Sequence, residues 1–274
     1  MKSPFARNLA IRVGTALLAL PLLLAVFFMG PPALGAALVA LAALIGLFEF
    51  FRFVRARGLV PMRRTGFVLA AGMFAEVAFP GWLGAPVWPL CALLLLIATL
   101  RQGGDFDKSV PAAAATLLGA VYLGALSGTL AALLTLAPPG HGAWRVVLLL
   151  AIIMASDTFA FFVGHAWGHR RLAPSVSPGK TVEGALGGLV GGVVGALAVR
   201  QLGLPELPVS HSVVLGVAVA ALGIVGDLDE SLLKRWAGVK DSGALFPGHG
   251  GMLDRLDSLL FGAPVLYYYF LYVR

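Results

Sequence analysis

Charged residues and cysteine are scarce in this sequence. Only 12% of its 274 residues are Asp, Glu, Lys or Arg, and 59% are hydrophobic, whereas a soluble domain carries about 25% charged residues. This balance excludes an ordinary soluble protein and indicates an integral membrane protein. Its single cysteine, Cys91, excludes an intrachain disulfide. The apolar runs also lack strand-like alternation, so their Leu- and Ala-rich composition predicts helices rather than a membrane barrel.

The apolar runs are long enough to cross a bilayer. Taking about 17–25 apolar residues as one span, the sequence predicts an all-α, polytopic integral membrane protein with about nine transmembrane helices. They are expected at 10–30, 33–51, 66–82, 86–101, 110–137, 143–164, 184–203, 210–228 and 257–273. The first run follows Lys2, Arg7 and Arg12 and ends at Pro31 without a small-residue cleavage site. We therefore predict a retained helix rather than a signal peptide.

The bases predict the orientation of the chain. With a cytoplasmic N-terminus, the cytoplasmic segments are 1–9, 52–65, 102–109, 165–183 and 229–256. Only Arg145, Arg200 and Arg274 of the 20 bases then fall toward the other side, as the positive-inside rule requires. The net charge of +7 thus indicates contact with the lipid bilayer rather than with nucleic acid. We divide the chain into an N-terminal multi-span helical region, 1–140, and a C-terminal catalytic transmembrane region, 141–274.

The stretch 226–258 is where acids and bases concentrate. Six of the chain's 13 acids and four of its bases lie there. The acids are Asp227, Asp229, Glu230, Asp241, Asp254 and Asp257, and the bases are Lys234, Arg235, Lys240 and Arg255. Acids that hold a metal, beside bases that hold phosphate, are what metal-assisted phosphoryl chemistry needs. The alternative is a solvated loop that only sets topology, but such a loop needs bases and no ordered carboxylates.

A metal site is expected between two helix ends. Asp227 ends the eighth predicted span, and Asp254 and Asp257, three residues apart, share one face at the start of the ninth. Two of these carboxylates, Asp227 and Asp254, could share a hard cation with Asp257 nearby. His249 stands alone in a glycine-rich bend and no thiol is close, so the oxygen donors favour Mg²⁺ or Mn²⁺ over zinc. The structural alternative is that acids near a helix start only complement its dipole.

Asp157 lies inside the sixth predicted span. A carboxylate within an apolar membrane segment is costly, so it is a candidate site residue. The alternative is a packing pair with a cation on a neighbouring helix.

A second polar block, 177–184, lies where a loop meets a helix. Ser177, Lys180 and Thr181 are predicted to bind phosphate there, since free N–H groups at a helix start attract anions. The P-loop spacing is absent. Thr181 and Glu183 are alternatively helix caps. The glycines that follow, Gly187, Gly188, Gly191 and Gly192, are expected to permit close helix packing.

These residues together resemble a known signature. Ser231-x-Leu233-Lys234-Arg235, Lys240-Asp241, Gly243, Pro247-Gly248-His249-Gly250-Gly251 and Asp254-Arg255-Leu256-Asp257 are similar to the signature of the phosphatidate cytidylyltransferase, or CDP-diacylglycerol synthase, family. The blocks around Asp157 and Lys180 look like further family features. The resemblance covers about 155–258, and the first 150 residues match only in being hydrophobic and multi-span.

The resemblance implies that CTP and phosphatidic acid give CDP-diacylglycerol and pyrophosphate. It also implies Mg²⁺ with a second cation such as K⁺, a homodimer, and a multi-pass position in the cell (inner) membrane with the active site on the cytoplasmic side. The catalytic set would be Asp227, Lys234, Arg235, Lys240, Asp241, His249, Asp254, Arg255 and Asp257. The metal would be held by Asp227, Asp254 and Asp257, and the substrate phosphates by Ser177, Lys180, Thr181 and Asp157.

Three other functions compete with this interpretation. One is a related CTP-using enzyme acting on another lipid phosphate or on a polyprenol. The second is an ion- or proton-coupled transporter in which Asp157, Asp227 and Glu76 relay charge, although we find no internal repeat that such transporters commonly show. The third is a CDP-alcohol phosphotransferase, whose D-G-x-x-A-R run is missing here.

Overall fold

Helices build almost the whole molecule. The structure is a computed structural model, and it describes residues 20–84, 86–136, 140–243, 245 and 250–273. Over these ranges the chain forms nine helices and one two-stranded hairpin. The elements are α1 (Leu20–Met29), α2 (Pro32–Ala56), α3 (Arg63–Ala78), α4 (Val87–Gln102), α5 (Phe106–Thr135), α6 (Gly142–Trp167), β1 (Arg171–Ala173), β2 (Ser177–Thr181), α7 (Val182–Gly203), α8 (Val209–Ala237) and α9 (Leu253–Tyr272).

Five of these helices are long and apolar enough to cross a membrane, namely α2, α5, α6, α7 and α8. The all-α class and several apolar spanning helices are therefore confirmed. The count of nine spans and the cytoplasmic N-terminus stay predictions, because α3 and α4 have only 16 residues each. Most of the first predicted span, 10–30, lies outside the described residues.

A β-hairpin interrupts the helical pattern between α6 and α7. Strands β1 and β2 pair antiparallel, with Arg171 opposite Thr181 and Ala173 opposite Ser177. The sequence predicted only a loop at 165–183, since strands of three and five residues are too short to give a periodic signal. The hairpin turns the chain back, so that β2 runs straight into α7.

Helix α8 is longer than its predicted span. It continues from the predicted end at 228 to Ala237, because the charged residues beyond 228 support a helix as well as a loop. Glu230 and Lys234 form an ion pair at i and i+4. Gly238 then ends the helix in a left-handed conformation, with φ of +72°. Its N–H donates to the Arg235 carbonyl, and the Val239 N–H donates to the Lys234 carbonyl.

Glycines allow α7 to pack closely against α6. A Cβ built on Gly191 would lie 2.5 Å from the carbonyl oxygen of Ala155, and one on Gly195 would lie 2.5 Å from that of Ala151. A Cβ built on Gly188 would lie 3.0 Å from the hydroxyl oxygen of Ser156. The predicted role of the glycines in helix packing is thus confirmed. This contact fixes where Asp157 stands relative to the start of α7.

Two hydrophobic clusters hold the bundle together. One is built mainly from α5, α6, α7, α8 and α9, and the other mainly from α2, α3, α4 and α5 with the start of α9. Helix α9 contributes to both, through Ala263 and Leu266 in the first and Leu253 and Leu256 in the second. The N-terminal helices therefore reach the segment that carries Asp254.

Candidate active site

Three carboxylates meet where α8 and α9 cross. Asp227, Glu230 and Asp257 each offer an oxygen, and these atoms lie within 4.8 Å of one another. Asp227 and Glu230 are three residues apart and share a face of α8. Gly226 brings α9 close, since a Cβ there would lie 2.5 Å from the Asp257 carbonyl oxygen. The structure thus brings predicted residues Asp227 and Asp257 together and adds Glu230, whose side chain is almost completely buried.

Asp254 is held by protein donors on both of its oxygens. Its Oδ1 lies 2.7 Å from the Lys234 ammonium. Its Oδ2 accepts hydrogen bonds from the Ser242 N–H at 3.1 Å, the Ser242 hydroxyl at 2.6 Å and the Gly251 N–H at 2.8 Å. Burial alone would raise the pKa of the Asp254 carboxyl, but the hydrogen bonds that it accepts outweigh burial and hold this pKa below its usual range. Asp254 therefore anchors the turn before α9, and its role as a metal ligand with Asp227 stays a prediction.

Lys234 connects Asp254 to the acid cluster. Its ammonium pairs with Glu230 on the same helix and with Asp254 on α9. Its side chain is only 16% exposed, so most of its length is packed inside the protein. One cation thus neutralises two carboxylates from two helices.

Strand β2 brings a second lysine to the site. Lys180 forms an ion pair with Asp227, so the hairpin covers the acid cluster from the side of α7. Asp157, on α6, interacts electrostatically with Asp227, Lys180 and Arg255. Acids and bases predicted from three separate stretches of sequence therefore lie around one point.

The remaining phosphate-binding candidates lie on or beside the hairpin. Ser177 is half-buried on β2. Thr181 is buried, and its hydroxyl caps α7 by accepting the Gly184 N–H at 3.1 Å. Glu183 accepts the N–H groups of His169, at 3.1 Å, and Arg170, at 3.2 Å. Thr181 thus has the capping role that the sequence offered as its alternative, whereas Glu183 binds the loop after α6 rather than a helix start.

The other predicted site residues lie at the end of α8 and the start of α9. Arg235 is exposed, and its Nε donates to the Val176 carbonyl at 3.3 Å, which ties the hairpin to α8. Lys240, Asp241 and Arg255 are exposed. The predicted residue His249 lies outside the described part of the chain.

Two residues of the N-terminal region reach the site and were not predicted as part of it. Glu49 on α2 is buried and accepts hydrogen bonds from the turn that Asp254 anchors. Tyr122 on α5 has a buried hydroxyl with no hydrogen-bond partner among the described residues, and it interacts electrostatically with Asp257. It lies in a π-helical segment, Val121–Ala125, a feature frequent at functional sites. For Glu49, the available signal was a lone carboxylate in a long apolar helix.

These features define a helical membrane protein whose clustered carboxylates and flanking bases suit metal-assisted chemistry on phosphates. Comparison with known proteins agrees. The chain belongs to the cytidylyltransferase family, whose sequence profile matches residues 10–273. The family match therefore includes the N-terminal helices, where the signature residues alone indicated only a hydrophobic region.

Two of the relatives match along most of their length, and a third matches along about half. A phosphatidate cytidylyltransferase of Pseudomonas aeruginosa is 35% identical over 260 residues, which cover 93% of this chain and 94% of the relative. One of Synechocystis is 34% identical over 258 residues, 85% of this chain and 87% of the relative. One of Haemophilus influenzae is 41% identical over 139 residues, about half of either chain at 49% and 48%.

Proposed function

We propose that this protein transfers CMP from CTP to phosphatidic acid, giving CDP-diacylglycerol and pyrophosphate. The observation that carries the proposal is the near full-length match to a protein named phosphatidate cytidylyltransferase. The acid cluster with its flanking lysines supports it, because this chemistry joins two anions. The geometry of the site is therefore expected to serve neutralisation and positioning of phosphates.

The reaction forms one P–O bond and breaks another. A phosphate oxygen of phosphatidic acid attacks the α-phosphorus of CTP, and the bond from that phosphorus to the bridging oxygen of pyrophosphate breaks. The nucleophile is already anionic, so no strong general base is required. The main obstacle is repulsion between the lipid phosphate and the triphosphate. Positive side chains that hold both in place lower this barrier.

The cations of the site have separate positions for this task. Lys180 stands on the hairpin beside Asp227, and Arg255 stands at the start of α9. With Arg235 and Lys240 they form the positive groups that we assign to the triphosphate and the lipid phosphate, assisted by Ser177, Thr181 and Asp157. Lys234 is paired with two carboxylates, so we assign it to holding these acids in place rather than to binding phosphate. Asp241 and His249 complete the set as proposed from the signature.

The acid cluster fits a divalent cation of the Mg²⁺ type. Its donors are carboxylate oxygens from Asp227, Glu230 and Asp257 within 4.8 Å of one another, the hard ligands that Mg²⁺ and Mn²⁺ prefer. When bound, the ion would offset the negative charge of the nucleotide phosphates. We propose Asp227 and Asp257 as ligands, with Glu230 beside them. Asp254 would be the further ligand proposed from the sequence, and a monovalent cation such as K⁺ is the proposed second ion.

The protein's proposed location follows from its substrates. Phosphatidic acid resides in the bilayer and CTP in the cytoplasm, so a site that joins them belongs at the cytoplasmic face of the cell (inner) membrane. The acyl chains would then extend between helices into the lipid. A homodimer remains part of the proposal through the family resemblance alone.

Transfer of label from α-³²P-CTP into lipid tests the function. Purified protein receives phosphatidic acid and Mg²⁺, alongside the variants Asp227→Asn and Asp257→Asn. We expect labelled CDP-diacylglycerol from the wild type and a loss of at least about 100-fold in both variants. Glu206→Gln is the matched control, because Glu206 is exposed after α7 and, within the described ranges, forms an ion pair only with His141.

Each failure of this assay has its own meaning. No labelled lipid from the wild type at any Mg²⁺ concentration would overturn the cytidylyltransferase proposal. Label that appears only with a polyprenol or another lipid phosphate would assign the related activity instead. Full activity of Asp227→Asn would be consistent with the proposed enzymatic activity but would exclude the proposed metal site. Ion uptake into vesicles without nucleotide would support a transporter.

A further inference from the structure

We propose that Glu49, on the N-terminal helix α2, is a positioning residue that fixes the turn carrying Asp254. The proposal rests on the proposed function, because it assigns Glu49 a role in the same site. Glu49 does not touch the acid cluster. Its effect would pass through Ser242 and the start of α9, although Glu49 itself lies outside the signature stretch.

Glu49 is a buried carboxylate whose partners come from the other end of the chain. Glu49 is only 4% exposed, and its helix neighbours Leu47, Phe50 and Phe51 are fully buried. Such a charge is tolerated only when hydrogen bonds compensate for lost water. The Met252 N–H lies 3.1 Å from Oε1, and the Leu253 N–H lies 2.8 Å from Oε2.

These two N–H groups belong to the N-cap residue and the first residue of α9. Helix starts leave N–H groups without partners inside the helix, and their positive dipole end favours an anion. The N-cap residue Met252 supplies no side-chain cap of its own. Glu49 therefore caps α9 from a helix about 200 residues earlier in the sequence, at a separation of 203 positions from Met252.

Ser242 links Glu49 to Asp254. Its hydroxyl oxygen lies 3.2 Å from Glu49 Oε2 and 2.6 Å from Asp254 Oδ2. A hydroxyl carries one hydrogen and donates to one acceptor at a time, so the two carboxylates share this donor. Asp254 in turn pairs with Lys234, which pairs with Glu230 in the acid cluster. A continuous polar chain thus joins α2 to the carboxylates proposed to hold the metal.

Two glycines of the signature are explained by the same carboxylate. A Cβ on Gly243 or on Gly251 would lie 2.5 Å from Glu49 Oε1, closer than real Cβ atoms approach. Any side chain at either position would push Glu49 away from its donors. The signature glycines at 243 and 251 therefore make room for Glu49, and this ties the N-terminal helix to the turn in a second, independent way.

Hydrogen exchange of the turn tests whether Glu49 orders it, without reference to activity. Glu49→Gln keeps the size of the side chain, but its NH₂ group would face one of the two N–H donors. We expect the amides of residues 251–254 to exchange about tenfold faster or more than in the wild type, with the rest of α9 little changed. The matched control is Glu76→Gln on α3, the same substitution at another glutamate of the N-terminal region.

Kinetics then test whether this order serves the reaction. Loss of position at Asp254 is expected to lower kcat for CDP-diacylglycerol formation by about 10- to 100-fold. A metal-linked role further predicts that half-maximal activity needs more Mg²⁺. A merely structural role would lower the amount of folded protein and leave kcat per folded molecule and the Mg²⁺ dependence unchanged.

The outcomes separate this proposal from the proposed function. Exchange and kcat of Glu49→Gln within about threefold of the wild type would overturn it, and so would an equal loss in Glu76→Gln. If Glu49→Gln does not fold, Ser242→Ala removes only the shared hydroxyl, and an unchanged Mg²⁺ dependence there would overturn it. A wild type that makes no CDP-diacylglycerol would overturn the function, whereas the exchange comparison would still decide whether Glu49 orders the turn.

Discussion

Lys234 is the residue on which the charge balance of the site depends most directly. It is the cation between Glu230, whose side chain is 1% exposed, and Asp254, at 10%. Removing one partner of a buried ion pair leaves an uncompensated charge, which costs about 3–5 kcal/mol. We therefore expect Lys234→Met to lower the free energy of unfolding by about that amount. Denaturant unfolding in detergent micelles measures it.

An exposed ion pair supplies the control for this experiment. Lys108 pairs with Asp105 three residues earlier, and both side chains are more than half exposed, at 66% and 52%. Exposed pairs contribute about 0–1 kcal/mol, so Lys108→Met is expected to unfold almost as the wild type does. Equal destabilisation by the two substitutions would contradict the role given to Lys234.

The contact of α6 with α7 places the hairpin and its lysine against the acids. The helices approach so closely because glycines line this face of α7, as at Gly191 and Gly195. We expect Gly191→Leu to force the helices apart and to destabilise the protein by about 1–3 kcal/mol, the usual cost of overpacking. Thermal unfolding in detergent measures this loss, and label transfer from CTP should fall with it because Lys180 moves away from Asp227.

An exposed position on the same helix gives the matched control. Val190 precedes Gly191 and is 58% exposed, so Val190→Leu adds volume where no helix packs among the described residues. We expect a change within about 0.5 kcal/mol there. A Gly191→Leu protein as stable as Val190→Leu would show that the glycine face does not limit the approach of the two helices.

Hydropathy predicts most of this fold because each helix is visible in its own sequence. The charge pattern also predicts where the candidate site lies, since few functions explain carboxylates such as Asp157 and Asp227 in apolar segments. The sequence does not predict which of the acids lie together. Asp227 lies with Glu230 and Asp257 because α9 approaches α8 at Gly226, and no periodicity encodes that approach. Glu49 shows the limit most clearly, because a single sequence carries no signal for a contact 203 positions away.

The membrane orientation is the property of the whole molecule that the function needs most. Helix α7 has 22 residues, about 33 Å at 1.5 Å per residue, which matches a hydrocarbon core of about 30 Å. Its two ends should therefore face opposite sides. The hairpin turn at Ser175 precedes α7 and Glu206 follows it, and both are exposed. Because Cys91 is the only cysteine, a Cys91→Ser background lets a single new thiol report each side.

We expect Ser175→Cys to react with a membrane-impermeant maleimide only in inverted vesicles, and Glu206→Cys only in right-side-out vesicles. This result would place the hairpin, Lys180 and the acid cluster on the cytoplasmic side, where CTP is available. Labelling of both thiols from one side would show that α7 does not span the bilayer. The reverse pattern would put the site on the outer face, away from CTP, and would contradict the proposed function through its topology even if every side chain lies where the structure places it.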